Sequence, residues 1–121
     1  MQIAQKNFYK KLLGRAGEKL AVDFLKKKGF KILKTNYRTS VGEIDIIAQD
    51  EAMIVFIEVK TRTSENYGMP CEAVDRKKQE KYYRSATFYL QREKKMESEC
   101  RFDVVEIENG KINHILNAFG V

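Results

Sequence analysis

Two short apolar stretches, close together in the sequence, constrain the fold of this chain most strongly. Residues 44–48 (Ile-Asp-Ile-Ile-Ala) and 53–57 (Met-Ile-Val-Phe-Ile) flank the polar segment Gln-Asp-Glu at 49–51. Stretches rich in β-branched residues on either side of polar turn residues are typical of a hairpin. Because apolar residues fill all positions of both stretches except Asp45, each strand is expected to be mainly buried on both faces. The sequence therefore predicts the centre of a sheet that is covered from both sides.

Helical periodicity before and after these stretches predicts the covering layers. Apolar residues recur every three or four positions over residues 9–28, which predicts an amphipathic helix capped by Gly29. Its inward-facing positions are Leu12, Leu13, Ala16, Leu20, Phe24 and Leu25. A second helix is predicted over residues 72–92, where the inward-facing positions include Tyr82, Ala86, Tyr89 and Leu90.

Five strands complete the predicted set, at residues 30–38, 43–48, 53–62, 102–107 and 112–116. The order is α-β-β-β-α-β-β, and we predict an α/β fold with a mixed central β-sheet flanked by helices. The chain contains one proline and no Gly/Ser-rich linker. Residues 1–121 are therefore predicted to form one domain, in which residues 1–10 are a flexible N-terminal extension.

The positive charge is confined to the first third of the chain. Residues 1–40 contain 11 Lys and Arg against 2 Asp and Glu, and residues 41–121 contain 12 against 15, so the net charge is +6. A basic region favours an anionic partner such as nucleic acid or a membrane surface, although solubility alone explains the charge equally well. No apolar stretch approaches the ~20 residues of a membrane span, and residues 1–11 lack the apolar core of a secretory signal. We therefore expect a cytoplasmic protein without a membrane partner.

Four charged residues gather at one end of the predicted hairpin. If the turn lies at residues 51–52, the numbers of opposed residues sum to 103, so Asp45 faces Glu58 and Glu43 faces Lys60. Side chains alternate between faces along a strand, so the four charges share one face with Ile47, Ile54 and Phe56. The opposite face is predicted to hold Ile44, Ile46, Val55, Ile57 and Val59. A shift of one residue in the register would separate the four charges.

The two opposed carboxylates predict a site for a divalent cation. Their Cβ atoms are expected to lie about 5 Å apart, where the negative charges repel and raise one pKa. Mg²⁺ relieves that repulsion, since it binds one or two carboxylates, keeps several waters and accepts phosphate oxygens. It also polarises a phosphoryl group, and a lysine such as Lys60 can offset negative charge in the transition state. The alternative is a solvated ladder of Glu, Asp and Lys at a strand end, which is a common arrangement.

The residues of the hairpin also resemble a known superfamily. Gly42-Glu43-Ile44-Asp45 followed by Glu58-Val59-Lys60 resembles the PD-(D/E)xK, or restriction-endonuclease-like, nucleases. More narrowly, the chain resembles the bacterial YraN-like family, whose members are distant relatives of archaeal Holliday-junction resolvases. Ile44 stands where the superfamily name has proline, and the YraN-like pattern shares this departure. The resemblance covers about residues 12–119 and includes Gly14-x-x-Gly17-Glu18-x-x-Ala21, Asn36-Tyr37-Arg38, Arg101-Phe102-Asp103-Val104-Val105 and His114-Ile115.

This resemblance implies a restriction-endonuclease-like fold and a catalytic Mg²⁺ site, with Mn²⁺ as a substitute. It implies that Asp45 and Glu58 bind the metal with the backbone carbonyl of Val59, and that Lys60 is catalytic. Related nucleases place a glutamate of the first helix beside the metal, and Glu18 matches that position. The alternative interpretation of Glu18 is an exposed helical glutamate next to Arg15.

Taken together, these features favour a Mg²⁺-dependent nuclease that hydrolyses phosphodiester bonds in DNA rather than RNA, with branched or single-stranded DNA as the expected substrate. The residues expected to contact the nucleic acid are Lys10, Lys11, Arg15, Arg38, Arg62 and Lys78. Junction resolvases act on two equivalent strands, so a homodimer is expected by analogy. Two alternatives stay open: a non-catalytic nucleic-acid-binding protein with a vestigial site, and a protein-interaction domain. His114 lacks cysteine partners for a zinc site and is predicted to be packed and hydrogen-bonded.

Overall fold

The computed structural model describes residues 2–62 and 75–119, and side chains from residue 14 onwards. Within these ranges the elements follow the predicted order α-β-β-β-α-β-β. They are helix α1 (Gln2–Lys27), strands β1 (Lys31–Arg38), β2 (Glu43–Asp50) and β3 (Met53–Arg62), helix α2 (Arg76–Arg92), and strands β4 (Cys100–Glu108) and β5 (Lys111–Phe119). Neither of these two helices is long and apolar enough to cross a membrane.

The strands form one mixed sheet with the order β1-β2-β3-β4-β5. Neighbouring strands are antiparallel except β3 and β4, which run parallel from the pair Ile54–Cys100 to the pair Arg62–Glu108. Parallel neighbours need a long crossover connection, and α2 lies in the segment that joins β3 to β4. The predicted α/β fold with a mixed central sheet is therefore confirmed.

Each face of the sheet is covered by one helix, so the hairpin of β2 and β3 is buried on both sides. On the first face α1 contributes Ala21 and Leu25 to a cluster with Ile46, Ile57 and Val105. On the second face α2 packs against the sheet through residues that include Tyr82, Ala86, Tyr89 and Leu90. Ile47, Ile54, Phe56, Phe102 and Val104 are their neighbours on the sheet. Removing these apolar side chains from water stabilises the fold by roughly 25 cal/mol per Å² of apolar surface.

Helix α1 ends where the sequence predicts, although it begins at Gln2 rather than near residue 9. Gly29 adopts a φ of +95°, a conformation that glycine accepts without strain. Its N–H donates to the carbonyl of Lys26, and the N–H of Phe30 donates to the carbonyl of Leu25. These two hydrogen bonds form a Schellman motif, which directs the chain from α1 into β1.

The face of α1 that packs on the sheet includes Leu25 and Phe24, as predicted, but differs from the predicted face in the preceding turns. Gly17, Ala21 and Leu25 are buried, whereas Ala16 and Leu20, both predicted to face inwards, are exposed. The predicted Leu12 and Leu13 lie before the described side chains. A Cβ at position 17 would collide with the hydroxyl of Thr61, so the helix backbone approaches β3 very closely there. Close backbone approach at a glycine, rather than large apolar side chains, therefore selects the packed face.

The predicted register of the central hairpin is confirmed, and its turn lies at residues 51–52. Ile46 pairs with Ile57, and the ladder ends there, one residue before Asp45 and Glu58. The prediction that Ile44 shares a face with Ile46 is wrong, because Ile44 packs in the cluster on the α2 side. The alternation breaks at Asp45. Opposite it in β1, Asn36 has a φ of +51°, and the two residues do not pair although the neighbours on both sides do.

Candidate functional site

The turn between β1 and β2 is tied to α2, and this contact places the start of β2 beside the helix. The Thr39 hydroxyl donates to the carbonyl of Gly42 and accepts from the N–H groups of Val41 and Gly42. It also shares a hydrogen bond of 3.0 Å with the hydroxyl of Ser85, which is fully buried on α2. A Cβ at Gly42 would lie 3.3 Å from Lys81 Cβ, so glycine permits the close approach of turn and helix. A cleft opens next to this contact.

Asp45 lies near the start of β2, just outside the backbone ladder between β2 and β3. There its carboxylate, instead of a backbone carbonyl, accepts a hydrogen bond from β3. The Oδ2 atom accepts a hydrogen bond of 2.8 Å from the backbone N–H of Val59 on β3. Burial raises the pKa of Asp45 to about 6, the Val59 hydrogen bond opposes the rise, and the negative charges of Glu18, Glu58 and Glu43 add to it. The repulsion predicted for clustered carboxylates is therefore present at this residue.

Glu58 is the most deeply buried carboxylate of the cleft, with only 4% of its surface exposed. Its Oε1 atom forms an ion pair with the Lys78 ammonium of α2. Its Oε2 atom is buried and has no hydrogen-bond partner among the residues of the described ranges. A buried charged oxygen without a partner costs free energy, so Glu58 is incompletely satisfied by the protein itself.

The cleft between β2, β3 and α2 has a volume of about 600 Å³. Its wall on the sheet side carries Glu43, Asp45 and Glu58, so three of the four charges predicted to cluster meet here. The helical wall carries Asp75, Lys77, Lys78, Lys81 and Tyr82, and Gly42 completes the lining. An acidic wall thus faces a basic one across a space large enough for a small anion or a nucleotide unit.

Four residues of the helical wall, Asp75, Lys77, Lys81 and Tyr82, were not predicted as site residues. The periodicity of α2 predicts Tyr82 as a core residue, and Lys78 is the one lysine of α2 that was predicted to contact nucleic acid. Tyr82 is 4% exposed, and burial together with the charges of Asp45, Glu58 and Glu43 raises its pKa, so its hydroxyl stays protonated. Lys77 and Lys81 are exposed but line the cleft. The available signal is the position of Lys81, which lies three residues after Lys78 and four after Lys77, since residues three and four apart are neighbours on a helix surface.

Lys60 and Glu18 lie outside this cleft lining. The backbone of Lys60 pairs with Glu106 of β4, and its side chain is half-buried. Glu18 is half-buried in a second cleft of about 270 Å³ with neighbours that include Arg15 and Asn36. Burial raises the pKa of Glu18, as does the charge of Glu43, while a hydrogen bond with the Asn36 side chain lowers it. Glu18 thus has Arg15 as a neighbour, as its alternative interpretation expects, but it is half-buried rather than exposed, and its role at a metal stays a prediction.

The donor set of the cleft suits a hard divalent cation that needs few protein ligands. Among the described side chains, no group of three or more His, Cys, Asp and Glu lies close enough to hold a metal ion together. Mg²⁺ requires only one or two carboxylates because it keeps several of its waters. The unpartnered Oε2 of Glu58 and the neighbouring carboxylate of Asp45 are oxygen donors of the kind it prefers. The residues present therefore fit Mg²⁺ at two carboxylates, with the Val59 carbonyl as a further predicted ligand.

The basic residues predicted to contact nucleic acid occupy different environments. Arg38 is exposed, and its Nε atom lies 3.7 Å from Oε1 of Glu43 at the rim of the cleft. Arg62 is mostly buried and pairs with Glu106, which leaves little of its guanidinium accessible. Arg15 is exposed on α1 at the second cleft. Lys10 and Lys11 belong to α1, but their side chains precede the described ones.

His114 lies on the opposite side of the sheet in a second polar cluster, and the prediction that it is packed and hydrogen-bonded is confirmed. Its side chain contacts Asp103 at 2.8 Å through Nε2 and the Lys28 ammonium at 2.8 Å through Nδ1. Asp103 is fully buried and also accepts hydrogen bonds from Arg101 and from the backbone N–H of Asn117. Burial raises the pKa of Asp103, but these hydrogen bonds outweigh it and hold the pKa below its ordinary value. Asp103 is thus satisfied by partners within the protein, which is typical of a structural role, although one buried guanidinium nitrogen of Arg101 has no hydrogen-bond partner in the described part of the chain.

Comparison with known proteins places the chain in a family. Residues 17–107 match the family described as "Uncharacterised protein family UPF0102". A UPF0102 protein of Alkaliphilus metalliredigens is 49% identical over 112 residues, which cover 90% of this chain and 98% of the relative. A UPF0102 protein of Thermodesulfovibrio yellowstonii is 52% identical over 107 residues, covering 88% and 95%. The YraN-like resemblance is thereby confirmed, and the chain belongs to the UPF0102 family.

Proposed function

We propose that this chain is a Mg²⁺-dependent nuclease that hydrolyses phosphodiester bonds in DNA. The observation that carries the proposal is the carboxylate pair Asp45 and Glu58 in a cleft whose other wall holds Lys77, Lys78 and Lys81. Carboxylates bind a divalent cation, whereas ammonium groups attract a phosphate anion. The cleft thus combines the two kinds of charge that hydrolysis of a phosphodiester requires.

Each residue of the proposed site has a distinct task. Asp45 and Glu58 hold the cation, with the Val59 carbonyl as a further proposed ligand, while Glu18, which lies in the second cleft, is proposed to support the site without binding the cation directly. When bound, Mg²⁺ supplies polarisation of the phosphoryl group and a more acidic water. Tyr82 keeps its proton and can donate a hydrogen bond to a phosphate oxygen in the cleft. Lys60, two residues after Glu58, is proposed to offset negative charge that develops on the phosphoryl group.

The nucleic acid is proposed to approach over the basic residues around the cleft. Arg38 at the rim and the lysines of α2 are exposed enough to meet a phosphate backbone. Phosphate contacts of this kind bind without sequence preference and weaken steeply with salt. A branched or single-stranded DNA substrate and a homodimer belong to the proposal on the strength of the family resemblance alone.

A cleavage assay with matched carboxylate variants tests the proposal. Labelled branched, single-stranded and duplex DNA are incubated with Mg²⁺, Mn²⁺ or EDTA. We expect cleavage only with metal, and a loss of at least about a hundredfold in Asp45→Asn and Glu58→Gln. Glu80→Gln, a matched control on the exposed surface of α2, should retain full activity. Absence of cleavage of all three DNAs, or equal activity in the carboxylate variants, would refute the proposal.

The ion pair between Glu58 and Lys78 favours a second candidate, a non-catalytic nucleic-acid-binding protein with a vestigial site. A lysine that neutralises Glu58 reduces the need of this carboxylate for a metal. This candidate predicts DNA binding that persists in EDTA without cleavage. Affinity that falls steeply between about 50 and 200 mM salt would identify phosphate contacts and exclude a protein-interaction domain with an apolar interface.

A further inference from the structure

The Lys78 ammonium forms an ion pair with one oxygen of the most buried carboxylate in the cleft. Lys78 pairs with Glu58 Oε1, while Oε2 of the same carboxylate is buried without a partner in the described part of the chain. Lys77 and Lys81 line the same cleft, yet Glu58 makes its ion pair with Lys78. Glu58 is thus held by a cation that the protein itself provides.

The two partners differ in their freedom to move. The side chain of Glu58 is 5% exposed and lies on a central strand of the sheet, whereas the side chain of Lys78 is 47% exposed. The backbone of Lys78 is fixed, because its N–H donates to the Asp75 carboxylate that caps α2. Its long side chain can therefore leave Glu58 and reach solvent or the cleft without a change in the helix.

An ammonium group and a divalent cation compete for the same carboxylate. Both need its lone pairs, and two positive charges at one carboxylate repel each other strongly inside a partly buried cleft. A metal on the unpartnered Oε2 therefore brings a second positive charge close to the ammonium on Oε1, and the repulsion between the two favours release of Lys78.

We propose that Lys78 is a displaceable counter-ion of the site: it holds Glu58 in the metal-free protein and is released when a divalent cation binds. The released ammonium joins Lys77 and Lys81 on the helical wall, where it adds positive charge next to a bound anion. Metal binding would in this way prepare the cleft for a phosphate group. This inference rests on the proposed function, since it assumes that the carboxylates bind a metal.

Calorimetric titration with Mn²⁺ alone tests the competition. Lys78→Gln removes the charge but keeps a hydrogen-bond donor for Glu58, and Lys77→Gln removes a charge from the same wall without touching the ion pair. We expect Lys78→Gln to bind Mn²⁺ at least about fivefold more tightly than wild type, as expected for two coupled ligands. Lys77→Gln should stay within about twofold of wild type, because salt screens the charge of an exposed lysine. Equal affinities of the two variants would overturn the inference.

Lysine labelling of the wild-type protein supplies a measurement that needs no variant. Acetylation of each lysine is followed by mass spectrometry with and without saturating Mn²⁺. We expect acetylation of Lys78 to rise on metal binding and that of Lys77 to stay unchanged. No change at Lys78 while Mn²⁺ binds would overturn the inference and leave the proposed function intact. If neither wild type nor Lys78→Gln binds Mn²⁺, the proposed function itself is wrong, so the two failures are distinguishable.

Discussion

Replacing Asp45 by asparagine should stabilise the protein at neutral pH, although it removes a proposed metal ligand. The carboxylate is partly buried beside three other acidic residues, which raises its pKa from 3.8 to about 6. Ionising it in the folded state therefore costs free energy. Asparagine has nearly the same shape, carries no charge, and its carbonyl oxygen can still accept the hydrogen bond from Val59. The variant keeps the contact and loses the repulsion.

The size and the pH range of the effect follow from linkage. Below pH 3.8 the Asp45 carboxyl is protonated in both the folded and the unfolded chain. Between 3.8 and about 6 the folded chain retains a proton that the unfolded chain has lost, so stability falls as the pH rises. Above about 6 both states are ionised and the full cost is present. This cost is about 3 kcal/mol, and solvent screening at the partly exposed carboxylate reduces it to about 2 kcal/mol.

Urea unfolding at several pH values measures this prediction. We expect the free energy of unfolding of Asp45→Asn minus that of wild type to grow by about 2 kcal/mol between about pH 4 and pH 7.5. Asp23→Asn, the same change at an exposed position of α1, should show no such growth. Added Mn²⁺ should stabilise wild type and not Asp45→Asn, since only a ligand that binds the folded state raises its stability. A difference that is independent of pH would refute the argument that repulsion and burial raise the pKa of Asp45.

Two further predictions concern positions away from the cleft. Gly17→Ala should destabilise the protein by about 1–2 kcal/mol in thermal unfolding, because its Cβ collides with Thr61, whereas Gly14→Ala, with open space around it, should stabilise α1 by about 0.5–1 kcal/mol. Equal effects of the two substitutions would contradict the close packing of α1 on β3. Asp103→Asn should cost about 2 kcal/mol, because the Arg101 guanidinium loses its buried partner and keeps only the partly exposed Asp50. Since the pKa of Asp103 is lowered in the folded state, this cost should shrink below about pH 4, which urea unfolding at pH 3 and 7 would measure.

The local sequence was sufficient to predict the elements and the centre of the sheet. Two stretches that are apolar at successive positions predict strands buried on both faces, and β2 and β3 are such strands. The turn at residues 51–52 then determines the register, because the numbers of paired residues in a hairpin have a constant sum. The end of α1 was likewise predicted from neighbouring residues, because lysines suit the last turn of a helix and Gly29 accepts the positive φ that follows it.

Non-local contacts decided what the sequence could not. The periodicity of α1 favoured a face with Leu20, but the close approach of Gly17 to Thr61 turned another face inwards. The alternation of side chains along a strand predicts Ile44 and Ile46 on the same face of the sheet. The pairing of β1 with β2 is interrupted at Asn36 and Asp45, however, and Ile44 lies on the opposite face from Ile46. Neither effect is visible in the sequence, because each depends on a residue from a distant element.

The order of amino acids is enough to establish which residues are acidic, how they are spaced along the two central strands, and the family to which the chain belongs. Which basic residues face these carboxylates depends on how the elements pack in three dimensions. α2 is joined to β3 by a long crossover, so the position of its lysines depends on how Tyr82, Ala86 and Tyr89 pack on the sheet. That packing brings Lys78 into an ion pair with Glu58, whereas the pairing of β3 with β4 brings Arg62 beside Glu106. The charge of a residue follows from its identity, but the residue with which it forms an ion pair depends on the fold.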